Sequence, residues 1–476
     1  MAKQLFNSSE KSNFILNLTE EGYSKMAAVS MVAACFATSV TTAIPVITGK
    51  NIYSVTAIGL ILAGVFSMIV ALIGAVKKFI SKKLIIPLSA AGVLLLFTVI
   101  STLCSYDMRI GFYGYTGRDE GLIATVFYIC FFVTAASVKT KKALKTLLYG
   151  IISVGLVNSV IGIIQVFAAK FSHYKMVKLH VQANAASGFS QSPLFLAMML
   201  CIALCAALIG IICFKSKVEK IICTVAACLF SFIMMFTYSL LGICGAALAV
   251  IMAIVIVFAM KAPKINLLST LTVIIPAVAA VVIVNAGVIG NISQYRLYDG
   301  YTLWRNDAHV RLSASGLPGD NVDIDSVTDV YYTLNRKTMD IISGHLLTGT
   351  GPDQLVFPQL YTAETASGSS DIEDIIAENK GTFDRVYNEY LNTAGTRGII
   401  AAISFGVFLL SVLMIGLKSF RKQKTPESLF AVIGVIFSIL LFFIGCSNTA
   451  FAPIFWTVCG CACASVSGET AKEKSE

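Results

Sequence analysis

A chain of 476 residues that is 57% hydrophobic and 13% charged, with a mean hydropathy of +0.81, carries more apolar surface than a water-soluble core can hide. An ordinary soluble domain is excluded, and lipid must cover part of the surface. The net charge of +10 does not point to nucleic acid, because Lys and Arg sit in short breaks between apolar runs and form no continuous basic patch.

Lys3, Lys11 and Lys25 precede the first apolar run. That run is long and has no small-residue cleavage site nearby, so a retained first helix is expected and not a removable signal peptide. Apolar runs then recur with bilayer spacing, each closed by a polar or basic break. They predict membrane helices at 27–47, 54–76, 84–104, 122–138, 147–168, 192–214, 220–237, 240–260, 267–289, 398–417, 428–445 and 449–466. The expected fold is an all-α integral membrane protein with about twelve transmembrane helices and a large, partly helical extracytoplasmic loop between the ninth and tenth. It divides into an N-terminal membrane domain, 1–289, the loop domain, 290–397, and the last three helices with a cytoplasmic tail, 398–476.

Twelve crossings put both termini on one side. The breaks there carry Lys77, Lys78, Lys82 and Lys83, then Lys139, Lys141, Lys142 and Lys145, then Lys215, Lys217 and Lys220, and later Lys418, Arg421, Lys422 and Lys424. Positive charge marks that side as the cytoplasm. The opposite breaks are residues 107–120, residues 169–190 and the acidic insert, which lies outside. Lys170, Lys175 and Lys178, interleaved with Phe171, His173, Tyr174 and His180, run against this charge rule. They suit either an anionic ligand or the headgroup rim.

Within the insert, Val330, Tyr331, Leu334, Ile341 and Ile342 follow helical spacing from Val327, and the pattern stops at Gly344. Phe383, Tyr387, Tyr390, Leu391 and Ala394 form a second helical stripe leading to the tenth membrane helix, with an acidic, Ser- and Gly-rich loop at 364–380 before it. None of the thirteen Cys falls in the insert, and Cys459, Cys461 and Cys463 spread around one helix, so neither a disulfide framework nor a metal site is expected. No inverted repeat of the kind that builds secondary transporters is visible.

Residues 384–402 read DRVYNEYLNTAGTRGIIAA. This resembles the last external-loop motif of the O-antigen ligase and O-antigen polymerase superfamily, in which His-Asn precedes Gly-x-x-Gly by nine residues. Asn388 and Gly398 keep that spacing, while Tyr387 stands at the His position and Ala401 at the second Gly. Arg336 followed by HLLTGTGPDQL at 345–355 is similar to the family's Arg and Gly-x-Gly turn. YGYTGRDEGL at 113–122 is similar to its Gly-Arg-x-x-Gly-Leu pattern, and GFSQSPLFLA at 188–197 with Gln165 fits more loosely. Ser239 is followed by Leu240, where many members carry Arg.

The resemblance implies a C-type glycosyltransferase architecture. It also implies transfer of a glycan from a polyprenyl-pyrophosphate-linked oligosaccharide to an acceptor glycan or lipid hydroxyl on the outer face of the membrane. No metal, nucleotide sugar or other cofactor is implied, and other polysaccharide-assembly proteins are implied as partners. Because glycosyl pyrophosphate is already a good leaving group, the protein must chiefly neutralise the diphosphate and orient the acceptor. Arg suits this through its fixed bidentate fork.

Arg118 and Arg336 are the candidate clamp, against the alternative that Arg118 pairs Asp119 or Glu120 and Arg336 pairs Asp340. Tyr387, with a reference pKa of about 10, is a poor base at neutral pH. It reads either as a hydrogen-bonding group or as a packed core tyrosine. Asp384, one turn earlier, reads as a base, an acceptor-binding group or a solvated helix-start carboxylate. Asn388, Lys175, Lys178, His180 and Gly351 complete the substrate-binding candidates. Two other functions stay open: a non-catalytic protein that binds lipid-linked glycan or serves an export complex, and a multi-pass transporter or flippase. Against the latter, the membrane helices carry almost no charge at mid-bilayer.

Single cysteines placed at 142 and 422 are expected to resist an impermeant thiol reagent in intact cells, and those at 325 and 369 to react. Labelling at 142 without labelling at 369 would invert the orientation.

Overall fold

The computed structural model describes residues 17–48, 53–115, 118–167, 186–190, 192–237, 239–285, 327–355, 357–358 and 385–464. Among them the regular structure is helical, with no strand. Each of the twelve apolar segments read from the sequence contains a helix. The first, α1 (Glu20–Thr48), is followed by α2 (Tyr53–Val76) and by α3 (Ile85–Leu103), which a short 3-10 turn, Lys82–Leu84, leads into. After a short helix, α4 (Met108–Tyr113), come α5 (Leu122–Ala136), α6 (Lys141–Phe167), α7 (Pro193–Cys213), α8 (Lys217–Met235) and α9 (Leu240–Ala259). A 3-10 segment, Lys264–Thr270, opens α10 (Leu271–Asn285). The insert supplies α11 (Val327–Gly344) and α12 (Glu389–Arg397), and the chain continues with α13 (Ile399–Gln423), α14 (Pro426–Leu441) and α15 (Ala452–Cys463).

Nine of the described helices are long and apolar enough to cross a membrane. Three are shorter than that: α5, α14 and α15. The predicted spans 428–445 and 449–466 are interrupted because residues 442–451 leave the helix. Asn448 explains part of the break, since its Oδ1 accepts from the Phe451 amide at 2.9 Å and its Nδ2 donates to the Ser190 carbonyl at 3.2 Å. The Glu389 amide at the start of α12 supplies a donor to the carbonyls of Phe442 and Gly445, at 2.9 and 3.1 Å. Irregular backbone inside an apolar bundle is tolerable where protein groups meet it in this way.

The helices pack around α7, of which 94% of the apolar stretch is buried, while only 17% is buried for the peripheral segment Lys264–Ile283. Outer faces keep large apolar side chains exposed, including Leu62 and Leu72 on α2, Ile275 and Val278 on α10 and Leu410 and Met414 on α13. Exposed apolar stripes of this extent need an apolar solvent. Small residues let neighbouring helices approach closely. At Gly460 of α15 an added Cβ would lie 2.5 Å from Ala135 Cβ and 2.6 Å from the Phe132 carbonyl oxygen of α5.

The helix expected from Val327 runs as predicted to Gly344 and packs on α12 through Leu334, Thr338 and Ile342. The second stripe requires a correction, because α12 begins only at Glu389 and leaves Tyr387 outside it. The Asn388 side chain caps the helix there, accepting from the amides of Tyr390 and Leu391 at 3.1 Å each. Phe383 and the loop at 364–380 lie outside the described residues.

Gly460→Val is expected to lower stability by about 1–3 kcal/mol, since backbone on α5 cannot yield to the new side chain. Gly406→Ala on α13, with nothing within 4 Å of its added Cβ, is expected to be neutral or slightly stabilising. Thermal unfolding of both variants in detergent micelles checks the contrast.

Candidate functional site

Three stretches far apart in sequence meet at one end of the bundle. After α3 the chain is capped into α4 by Asp107, whose Oδ1 accepts from the Arg109 and Ile110 amides at 2.7 and 3.2 Å. It reverses at Gly114 with φ of 91°, where an added Cβ would lie 2.2 Å from the Glu120 nitrogen. The turn at 345–355 approaches this loop at Gly351, with φ of 108° and an added Cβ 2.4 Å from Ser105 Cβ. Gly351 is thus a position where backbone passes close to another loop.

Side chains then lock the stretches together. Gln354 takes the Asp107 amide on its Oε1 at 2.9 Å and donates its Nε2 to the Asp107 carbonyl at 2.6 Å. Asp353, in the left-handed region that Asp tolerates, accepts the Tyr115 amide on Oδ2 at 2.7 Å. Its Oδ1 lies 3.3 Å from Arg118 Nε. The amides of Thr350 and Gly351 donate to the carbonyls of Gly395 and Thr396 on α12, at 2.9 and 3.0 Å. Ser101 Oγ on α3 also donates to the Thr396 carbonyl, at 2.7 Å.

Beside this lock is a second ion pair. Arg385 Nη2 lies 2.7 Å from Glu120 Oε2, and Nη1 donates to the Ser447 carbonyl at 2.8 Å. The Ser447 amide donates in turn to Glu389 Oε2 at 2.8 Å. Both pairs are nearly shut off from solvent, with side-chain exposures of 11% and 4% for Arg118 and Asp353 and of 8% and 11% for Arg385 and Glu120. Arg397, at the end of α12, carries a buried Nε without a hydrogen-bond partner among the described residues. Burial pushes the Glu120 carboxyl up from its ordinary 4.5 to about 8, against the pull of Arg385 and with the help of Asp353 and Glu389. Burial also raises Glu389, opposed by the Ser447 amide and by Arg397 and Arg385.

Two adjoining clefts open on these charges. The smaller is lined by Glu120, Asp353, Arg385, Asn392, Thr396 and Arg397. The larger has Glu120, Glu389 and Arg397 at its polar part and Leu94, Tyr128, Phe405, Phe442, Phe455 and Trp456 at its apolar part. Glu120 and Arg397 line both. A charged compartment thus adjoins an aromatic one at Glu120 and Arg397.

Of the residues singled out in the sequence, Arg118 lies inside the charge cluster, paired across the molecule with Asp353. Arg336 is exposed on α11, two residues from both buried Leu334 and buried Thr338, and lines neither cleft. Tyr387 is half-buried and packs against both the small cluster of Leu334, Leu355 and Val386 and the main core. Asn388 serves as the cap of α12. Asp384, Lys175, Lys178 and His180, with His173 and His309, lie outside the described residues. His345 places its Nε2 3.2 Å from Tyr106 Oη, outside both clefts. Gln165 holds the stretch before α7, accepting from the Ser187 and Gly188 amides at 2.9 and 2.8 Å.

Sequence reading missed Glu120, Asp353, Arg385, Glu389 and Arg397, although all five fall within the three quoted motifs. A usable signal was the arginine distribution. Eight of the nine arginines fall in 109–118 or 296–397, whereas the basic breaks elsewhere are built almost entirely of Lys.

Asp353→Asn keeps an acceptor for the Tyr115 amide but removes the carboxylate that faces Arg118 at 3.3 Å. It is expected to cost about 3 kcal/mol. Adding Arg118→Met should recover part of the loss. Thermal denaturation of the single and double variants in nanodiscs measures the coupling. No protein-family model matches this chain, and no curated protein matches it.

Proposed function

We propose that this protein is a multi-pass plasma-membrane glycosyltransferase. It moves a glycan from a polyprenyl-pyrophosphate carrier to an acceptor hydroxyl on the outer face. On this reading the nine long apolar helices and the three shorter ones make twelve crossings, with both termini cytoplasmic and the insert outside. The observation that carries the reading is the junction of the three quoted motifs. Glu120 of the first loop, Asp353 of the glycine-rich turn and Arg397 of the last loop motif line one charged cleft, with Arg118 paired to Asp353 behind it, and that cleft adjoins an aromatic one.

The chemistry follows from that juxtaposition. On this reading the diphosphate meets the cationic cleft and the head end of the polyprenyl chain meets the aromatic residues beside it. Arg397, whose Nε is unmet among the described residues, is placed to receive charge as the anomeric carbon–oxygen bond breaks. Arg118, tied to Asp353, lends positive potential and holds the loop. Arg336, exposed on α11, stays in the proposal as a cation that the diphosphate or glycan reaches from outside.

A second reading, a non-catalytic protein that binds lipid-linked glycan, is favoured by Tyr387, which spends its ring on apolar packing where the resembling family has His. Deleting the gene and analysing carrier-linked oligosaccharides together with surface glycan separates the two. Accumulated carrier-linked units with lost polymer or conjugate are expected, and unchanged lipid intermediates would count against transfer. With purified protein, Arg397→Lys is expected to lose at least about tenfold in donor consumption, because an ammonium cannot reproduce the guanidinium fork. Tyr387→Phe is expected to lose less than about tenfold.

A further inference from the structure

Transfer to a hydroxyl requires a group that accepts its proton, since an alcohol is a weak nucleophile until the proton leaves. Tyr387 is badly suited, with a phenol reference pKa of about 10 and a ring packed in two apolar clusters. Three carboxylates lie at the clefts. Asp353 lines only the smaller, and its two oxygens are engaged by Arg118 and the Tyr115 amide. Glu389 lines only the larger and is held by the Ser447 amide. Glu120 lines both, immediately before α5, and is steadied by Arg385 at 2.7 Å. Arg397 is the other charged residue common to both clefts.

Resting on the transfer reading above, we propose that Glu120 is the proton acceptor of the reaction, working with Arg397 where the polar and aromatic clefts join. The acceptor oxygen forms a bond to the anomeric carbon while the bond from that carbon to the pyrophosphate oxygen breaks. The electron pair leaves with polyprenyl pyrophosphate, whose charge Arg397 meets, and the hydroxyl proton passes to the Glu120 carboxylate. Nothing is oxidised or reduced. Among the described residues, the charged groups that act on Glu120 are Arg385 before α12, Glu389 and Arg397 on it and Asp353 on the turn, and Glu120 in turn acts on Tyr128 of α5. Burial gives the carboxylate more proton affinity than one in water, which suits it to an alcohol proton near neutral pH. Activity should accordingly rise with pH as Glu120 ionises.

The test uses the full chain in lipid nanodiscs with polyprenyl-pyrophosphate glycan and membranes extracted from cells lacking this protein. Release of polyprenyl pyrophosphate and donor binding are both measured. Glu120→Gln is expected to bind donor within about threefold of wild type but to transfer it about a hundredfold or more slowly, the usual worth of a general base. Glu120→Asp is expected to restore part of the rate and to shift the rising limb of the pH profile. Transfer by Glu120→Gln within about threefold of wild type, or an unchanged limb in Glu120→Asp, would overturn the assignment. Should Glu120→Gln also lose donor binding, the limb of Glu120→Asp decides, since a purely structural role would leave it in place. Wild type that binds or consumes no donor is a different result: it sinks the transfer reading, and the proton acceptor goes with it.

Discussion

A charge taken out of water is tolerable only with a partner of opposite sign, and this requirement organises the end of the bundle where the loops meet. Arg118 and Asp353, and likewise Arg385 and Glu120, are nearly buried pairs whose members come from stretches separated by more than two hundred residues of chain. If either loop settled alone, these two pairs would lack their partners from the other stretch. The first loop, the glycine-rich turn and α12 therefore close as a unit, and the backbone bonds from Thr350 and Gly351 to α12 follow from that closure. Preorganised charge of this sort is also what stabilises a growing anion, because it does not have to reorganise when the anion forms.

The same residues repair a local fault in the helices. Residues 442–451 interrupt what the hydropathy pattern reads as continuous spans, and broken helix hydrogen bonds in an apolar setting demand replacements. Glu389 takes the Ser447 amide and gives its own amide to Phe442 and Gly445, while Arg385 takes the Ser447 carbonyl. A residue that lines a cleft thus also carries the fold. Substitutions at Glu389 or Arg385 report on both at once, whereas Arg397, with its unmet Nε, separates the two more cleanly.

The proposed chemistry depends on a division of labour within a few ångströms. Aromatic rings from α5, α13 and α15 line the apolar compartment, where Tyr128 stacks on Trp456 with centroids 6.3 Å apart and Phe455 meets Trp456 edge-on at 5.5 Å. The charged compartment is made of loops and the short helix α12. In the proposed reading this join is where an isoprenoid diphosphate, in which an apolar chain and a dense anion are covalently adjacent, meets the protein.

By itself the sequence determined that the chain is helical and apolar, where its helices lie to within about seven residues at their ends, and that α11 stops at Gly344. These are properties of local periodicity and of residues that end helices, and a neighbour in space is not needed to read them. It also marked the three stretches that meet, through Gly114, Gly351 and Gly398, which occupy left-handed backbone. Tertiary structure alone decided which charges pair, because an Arg in one loop has several carboxylates near it in sequence and only folding brought Asp353 to Arg118 and Glu120 to Arg385. It alone removed Tyr387 from the helix and Arg336 from the clefts, since the capping side chain of Asn388 and the packing of α11 against α12 set those directions. And it alone shortened α14 and α15, where hydropathy favours continuing the helix but the side chains of Asn448 and Glu389 offer the backbone other partners.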